Sequence, residues 1–383
     1  MVATLLRSRP DAIVYFLGCV EELSLQHIED SLGEYSLLNN SWTTEFIASR
    51  LRPVSGSLRQ RYFGLSKGAF IALGGDIHAI YHLGSEISLL KTYTDLKAVN
   101  IDATLDIIEL ASRGLFATEI HYLSTWSVLH LQSWASTTFK EPLESSPANY
   151  SKIKRTEEPA TFFAPEPTLE NGYFKARWVA EVLVTRASER GFPVTIYRPS
   201  AMTASTKTKA CEPASHFTRW MVAQMIRSGS VPELKNSIGG PEFSIDFVPV
   251  DFATSAILSI STHPQAQQIM PSKPAIYHLG NPRPILVREL PAEIKSIYKS
   301  MGSQTEVKGL VPLPEFIRSV SDALGLEKSA ADELSLVAFE QYFNIGHTMF
   351  SLDRSNTDKI LKFAGNVPKC PTIDSQFLLG MLG

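Results

Sequence analysis

The chain has 383 residues, 44% hydrophobic and 20% charged, with a net charge of −3. That is an ordinary globular balance with enough apolar residues for a sizeable core, and the charge gives no reason to expect a nucleic-acid partner. The three cysteines, Cys19, Cys211 and Cys370, are far apart, have no metal-ligand spacing and suit a reducing compartment. No apolar run reaches the length of a signal peptide core or a membrane span. The expectation is a cytoplasmic protein without metal, membrane or nucleic acid.

In chain order, short apolar runs bounded by turn residues alternate with amphipathic stretches. Ala12–Leu17, Ile77–Leu83, Glu119–Ser124 and Val194–Arg198 read as buried strands. Asp95–Ser112, Tyr173–Arg190 and Ser215–Arg227 read as helices, the first with Leu96, Val99, Thr104, Ile107, Ile108 and Ala111 largely on one face. Alternation of this kind predicts an α/β fold with a doubly wound, Rossmann-like parallel sheet. The polar, Pro-rich stretch Thr137–Leu169 reads as a long loop. From about Pro282 the pattern is mainly helical: Val287–Met301, Leu313–Leu324 and Asp332–Phe343. The predicted division is a Rossmann-like domain over residues 1–281 and a smaller, mainly helical lobe over 282–383.

The stretch with the most chemistry in it is Gly172-Tyr173-Phe174-Lys175-Ala176-Arg177. Positions i and i+4 share one helix face, so the Tyr173 phenol and the Arg177 guanidinium can enter one cleft. A phenol beside a fixed positive charge ionises more easily and can serve as a proton donor or base. Taken without context, such a pair is equally a surface aromatic–cation contact. Thr125 follows a strand expected to end at the carboxyl edge of the sheet, where open α/β sheets bind ligands. A plain strand-end hydroxyl is the simpler reading of that residue, and Ser124 and Ser127 are close enough to compete for the role. His82 reads as a core histidine, and Asn100 occupies a poor helix-former slot in mid-helix.

Five segments occur in an order and spacing that resemble one family: IYHLGSEISLLKTYTDLKAVNIDATLDIIELA, IHYLSTWSV, NGYFKARWVAEVLV, GFPVTIYRPS and FSIDFVPVDFAT. The chain resembles the thioester reductase domains that end nonribosomal peptide and hybrid polyketide synthetases, within the extended short-chain dehydrogenases. The resemblance covers nearly the whole chain. It implies release of an acyl or peptidyl chain from the phosphopantetheine arm of a carrier protein, in the family by NADPH-dependent reduction to an aldehyde or alcohol. It carries catalytic roles onto Thr125, Tyr173 and Arg177, the last standing where the family has lysine. It places Ser57, His82, Asn100 and Arg198 around the cofactor.

The departures from the family collect at the cofactor. Family members open with a strand and a Gly-rich turn that holds the pyrophosphate at a helix N-terminus; here Ala3–Arg9 resembles the end of the helix after that turn. Cys19 stands where an arginine would grip the 2′-phosphate, Ser57 replaces an aspartate near the adenine, and Ala103 and Ala204 replace glycines. Arginine is larger, planar and forked, and fits two ribose hydroxyls poorly where lysine would serve. Impaired NADPH use is therefore expected. Without the first strand, which lies at the sheet centre in this topology, two buried edges are expected; the chain is a fragment, starts upstream, or has a sheet closed over the gap. Three functional readings follow. One is release of a carrier-bound thioester, by reduction or by redox-independent ring closure of the Dieckmann type. The second is a catalytically silent remnant with a docking role. The third is a sugar-nucleotide epimerase, which the Leu-Leu-Lys-Thr-Tyr and Pro-Val-Asp segments fit less well.

Overall fold

Alternating side chains build the central sheet. In the computed structural model, which describes residues 1–18, 23–38, 42–114, 118–129, 154–155, 171–208, 217–233, 244–263, 273–325, 329–344, 351–364 and 369–382, the strands include β1 (Val14–Gly18), β2 (Leu51–Ser55), β3 (Ala79–His82), β4 (Glu119–Leu123), β5 (Val194–Pro199) and β6 (Ala275–Leu279). Strands β3 to β6 form one parallel sheet in the order β6-β5-β4-β3. Ile80, Ile120, Tyr122, Ile196 and Ile276 point to one face. Tyr81, Leu123, Tyr197, Tyr277 and Leu279 point to the other, as the two-residue strand period requires. Parallel pairing needs a crossover between strands, and helices supply it.

The first face is covered by α1 (Lys67–Asp76), α2 (Ala103–Ala111) and α3 (Gly172–Glu189) through Phe70, Ile107, Leu110, Ala180 and Val184. The second is covered by α4 (Val250–Ser261) and α5 (Ser355–Ala364) through Phe252, Ala256, Ile257, Ile260 and Ile360. Helices on both faces of a parallel sheet are the doubly wound architecture expected from the sequence. A separate core draws on the helices Phe217–Ser228, Leu290–Ser300, Leu313–Leu324 and Ala330–Asn344, around Trp220, Met225, Ile297, Phe316 and Phe339. This helical lobe thus takes side chains from both sides of residue 282.

The sheet is interrupted. β1 pairs in parallel with β2, Val14 opposite Leu51 through Gly18 opposite Ser55; among the described residues no ladder joins β1 to β3. Contacts across the interruption are made by side chains instead. The Tyr15 hydroxyl donates to Asp76 Oδ2 at 3.3 Å, and Leu17 packs against the core under β3.

The helix before β4 has a built-in irregularity. Tyr93–Lys97 and α2 are α-helical, but Ala98–Asp102 between them makes a π-turn. Asn100 sits there, wholly buried. Its Oδ1 accepts the Glu86 N–H at 2.8 Å and its Nδ2 donates to the Glu86 carbonyl at 3.0 Å. The poor helix-former thus ties the helix to the loop that leaves β3. The predicted loop Thr137–Leu169 lies outside the described residues apart from Lys154 and Arg155, as do Cys19, Cys211 and the start of the Ser215 helix.

Candidate active site

The carboxyl ends of β3 and β4 and the first turns of α3 converge on one buried group of side chains. α3 is set in place at its start. Asn171 caps it, accepting the Phe174 N–H at 3.1 Å, and donates from Nδ2 to the Leu89 carbonyl at 3.2 Å. Gly172 follows because nothing larger fits: a Cβ there would come within 2.4 Å of the backbone of Lys91, Thr92 and Tyr93. This close approach fixes where the next residue, Tyr173, projects.

Tyr173 is 8% exposed, Thr125 8% and Arg177 2%. Burial pushes the Tyr173 phenol up from its ordinary pKa, while the Arg177 charge and a hydrogen bond with Thr125 pull it down. The expected geometry, a phenol with a hydroxyl partner and a cation one helical turn on, is present. The Thr125 hydroxyl also lies 2.7 Å from the Ser127 hydroxyl and accepts the Ser127 N–H at 3.2 Å, so the three small hydroxyl residues have distinct places. Thr125 lies beside the tyrosine and Ser127 beside Thr125. Ser124 points the other way, donating to Glu181 Oε2.

Arg177 is turned inward. Its Nη2 donates to the Leu123 carbonyl at the end of β4, and its guanidinium carbon lies 5.2 Å from the centre of the Tyr122 ring. Among the described residues its Nε and Nη1 have no hydrogen-bond partner. His82, at the end of β3, packs its ring 5.6 Å from the Tyr122 ring, and its Nε2 is likewise without a partner. Burial first, and the Arg177 charge second, lower the His82 pKa to about 3, so the imidazole is neutral at physiological pH. A neutral His82 with so low a pKa is a poor base and a serviceable polar wall.

The other residues singled out from the sequence lie outside this group. Asn100 spends its side chain on Glu86. Ser57 lies in the turn after β2, where its hydroxyl accepts the Arg59 N–H at 3.2 Å. Arg198 is wholly buried behind the site in an ion pair with Glu181, which is also wholly buried. Its Nε donates to Glu181 Oε2 at 3.2 Å, and its Nη1 lies 3.2 Å from His278 Nε2. His278 is held through Nδ1 at 2.7 Å from the Asp353 carbonyl, and burial followed by the Arg198 charge lowers its pKa to about 3. This chain of contacts ties Ser124, and with it the strand end that carries Thr125, to β5, β6 and the segment before α5.

Two carboxylates escaped the sequence reading. Glu181 had a signal: Tyr173, Arg177 and Glu181 form an i, i+4, i+8 row on one helix face. Asp246 interrupts the apolar run Phe243–Val250. It accepts the Ser200 hydroxyl at 2.8 Å and the Asn281 N–H at 2.7 Å, and burial raises its pKa to about 6. Among the described residues no group of His, Cys, Asp and Glu could hold a metal ion, and no helix is long and apolar enough to cross a membrane.

Residues 1–257 match the NAD-binding family described as "Male sterility protein". The chain belongs to this family. Over 99% of its length it is 39% identical to the hybrid PKS-NRPS synthetase pyvA of Aspergillus violaceofuscus, and over 100% it is 37% identical to the hybrid PKS-NRPS synthetase pynA of Aspergillus niger. It covers 10% and 9% of those proteins, about a tenth of their length. Among solved structures it is similar to the terminal R domain of the myxalamid PKS-NRPS pathway, with a TM-score of 0.74, 27% identity, and coverage of 100% of this chain and 85% of that one. A UDP-Glc/GlcNAc 4-epimerase of Campylobacter jejuni shares the fold at 14% identity and a TM-score of 0.55, covering 100% of this chain and 93% of that one.

Proposed function

We propose that this chain is a release domain of secondary metabolism: it takes an acyl or peptidyl chain held as a thioester on a carrier protein in the cytoplasm and frees it by ring closure. The observation that carries the reading is the buried Thr125–Tyr173 pair with Arg177 one helical turn on, at the carboxyl end of β4. The likeness to synthetase R domains along the whole chain supports it.

Two neighbouring hydroxyls can reach a single carbonyl oxygen. Thr125 and Tyr173 would donate to the thioester oxygen as it gains negative charge, the role of an oxyanion hole. In ring closure the carbon between two carbonyls of the bound chain attacks the thioester carbonyl. A C–C bond forms, the C–S bond breaks, and the proton lost from carbon ends on the departing thiol. No electron donor is consumed.

The family binds a nicotinamide dinucleotide, and the residues here fit one poorly. The lysine's place holds a guanidinium directed at the Leu123 carbonyl and the Tyr122 ring, and the Ser57 hydroxyl is used within its own turn. Ring closure therefore runs through the hydroxyls and the cation alone. Incubating the purified chain with a synthetic 3-oxoacyl-aminoacyl thioester, with and without NADPH, tests this. The expected product is the cyclic 1,3-dicarbonyl, formed at equal rates in both. Aldehyde or alcohol formed with matching NADPH oxidation would replace ring closure by reduction, and a folded chain releasing nothing in either condition would leave a silent docking module.

A further inference from the structure

We infer that the helical lobe holds a second binding site, separate from the release centre: a cleft built around Gln224 and Arg227 that takes an N-acylated amino acid through its free carboxylate and its amide N–H. This goes beyond the release reading and stands or falls without it.

A cleft of about 630 Å³ opens between the helices Phe217–Ser228, Leu313–Leu324 and Ala330–Asn344, beside Leu382. Pockets for small organic molecules run from about 300 to 1,000 Å³, and the space between packed helices is one of their usual places. The walls include Arg219, Trp220, Gln224, Arg227 and Asp332, and none of these belongs to the core around Tyr173. Arg219 and Arg227 stand two turns apart on one face of their helix. Gln224 lies between that face and the core, at 4% exposure, next to the buried Met221, Val222 and Met225. Among the described residues its Oε1 has no hydrogen-bond partner. A buried amide acceptor left unpaired is uncommon in a folded interior and calls for a partner. The last torsion of a glutamine is broad, so the amide can turn toward a ligand in the cleft without leaving its rotamer.

The charges narrow the ligand. Arg219 donates to the Leu382 carbonyl at 2.5 Å, which pins its guanidinium at one end of the cleft. Arg227 is exposed, and among the described residues it forms no ion pair. Asp332 carries the opposing charge. Its Oδ1 accepts the Trp220 Nε1–H at 2.9 Å and its Oδ2 accepts the Ser329 hydroxyl at 2.6 Å. Burial pushes the Asp332 pKa up, but the Ser329 and Trp220 hydrogen bonds and the Arg227 charge outweigh it and hold the carboxyl below its ordinary value. The cleft therefore carries two guanidinium groups against one carboxylate. That surplus suits a monoanion, whereas a phosphate dianion would meet the Asp332 charge. A carboxylate offers two oxygens to the fork of Arg227. The Gln224 acceptor adds a demand for an N–H, and a neutral amide supplies one without bringing a second charge out of water. Leu324 and the alanines beside it give an apolar wall for the body of the ligand. Carboxylate, amide N–H and apolar chain together describe an N-acylated amino acid, which is what water would make from an acyl-aminoacyl thioester.

Binding, without turnover, tests the inference separately from release. The probe is N-acetyl-L-leucine, titrated by isothermal calorimetry against its neutral primary amide and against 4-methylpentanoate, which keeps the carboxylate and the branched chain but has no N–H. The probe should bind about tenfold to a hundredfold more tightly than the amide, the range of a charge-assisted hydrogen bond, and about threefold to tenfold more tightly than 4-methylpentanoate, the range of a neutral one. Arg227→Met should erase the first preference and Arg227→Lys should keep part of it. Gln224→Leu should erase the second. Circular dichroism confirms that each variant is folded, and the Arg227 pair decides the case alone if Gln224→Leu is not. Tyr173→Phe should bind the probe as the unsubstituted protein does, whatever happens to release. Equal affinity for the three compounds, no binding of the probe, or a carboxylate preference that survives Arg227→Met would overturn the site. So would tighter binding of free L-leucine, or loss of binding in Tyr173→Phe, which would place the probe in the release centre.

Discussion

Removing the charge of Arg177 should stabilise the protein while abolishing its chemistry. The guanidinium leaves two buried nitrogens, Nε and Nη1, without partners among the described residues, and each such group costs about 1–3 kcal/mol. Methionine has no polar hydrogens to satisfy and fills much of the same space. Against this, Arg177→Met gives up the hydrogen bond to the Leu123 carbonyl, about 1 kcal/mol, and the contact over Tyr122, about 1 kcal/mol. The balance is a gain of about 0–4 kcal/mol. Unfolding entropy of about 2.1 cal/mol/K per residue over 383 residues gives about 0.8 kcal/mol/K, so the melting temperature should rise by up to about 5 °C. Differential scanning calorimetry of both proteins, with urea melts as a check on the free energy, reads this directly. A fall in stability of about 2 kcal/mol or more, by the same order of estimate, would show that the guanidinium is satisfied in the fold. Arg177→Lys should fall between the two, because an ammonium can shed its proton when buried and a guanidinium cannot.

Tyr173→Phe and Thr125→Val should each slow release by about a hundredfold to a thousandfold, the usual cost of one oxyanion donor, with the melting temperature little changed; release measured by liquid chromatography at unchanged rate would remove either residue from the mechanism. Glu181→Gln leaves the Arg198 charge buried without its partner and should cost about 3–5 kcal/mol in urea unfolding. Asn100→Ala strands the Glu86 N–H and carbonyl, so it should cost about 2–4 kcal/mol and speed amide exchange at Glu86. Burial raises the Asp246 pKa in the folded state to about 6, above its ordinary value of 3.8. The folded state therefore holds more protons than the unfolded state between those values, and this group's contribution to stability falls as pH rises through that window and is constant above it. His82 and His278, depressed to about 3 from 6.5, act in the opposite sense: their contribution grows as pH rises from about 3 to 6.5. Urea melts from acid to neutral pH should show stability rising more steeply in Asp246→Asn than in the unsubstituted protein; parallel curves would contradict the assignment.

Most of the architecture was legible because periodicity reports burial. Ala79–His82, Glu119–Leu123 and Val194–Pro199 are short apolar runs, and each became a strand of the parallel sheet. Leu51–Ser55 was not read as a strand: it carries Arg52 and Pro53, residues that dilute a β signal, and it pairs on one side only, with β1. The helical face Leu96–Ala111 was visible, but its π-turn was not, because a π-turn depends on where the buried Asn100 finds partners and Glu86 is 14 residues away. Thr125, Tyr173 and Arg177 could be named from spacing and family likeness. The inward turn of Arg177 could not, since the Leu123 carbonyl that receives it lies 54 residues back along the chain.

The same distinction explains why the site stands out energetically. Elsewhere in the parallel sheet the buried charges are matched: Arg198 has Glu181, and behind it His278 and the Asp353 carbonyl complete the set. That network is a finished structure and leaves nothing for a ligand to satisfy. The network and the release centre meet at adjacent residues just past the end of β4: Ser124 belongs to the network and its neighbour Thr125 to the site. The two side chains go to different environments: Ser124 inward to Glu181 and Thr125 toward Tyr173. A rigid, satisfied half thus holds an unsatisfied half in place, which is the arrangement a site needs when its own charge is to be neutralised by substrate. If Glu181→Gln loosens that support, release should fall even though Glu181 does not touch the thioester oxygen. Restoring the melting temperature with a distant stabilising substitution should then leave the rate low, because the loss lies in the placement of Thr125 and not in the amount of folded protein.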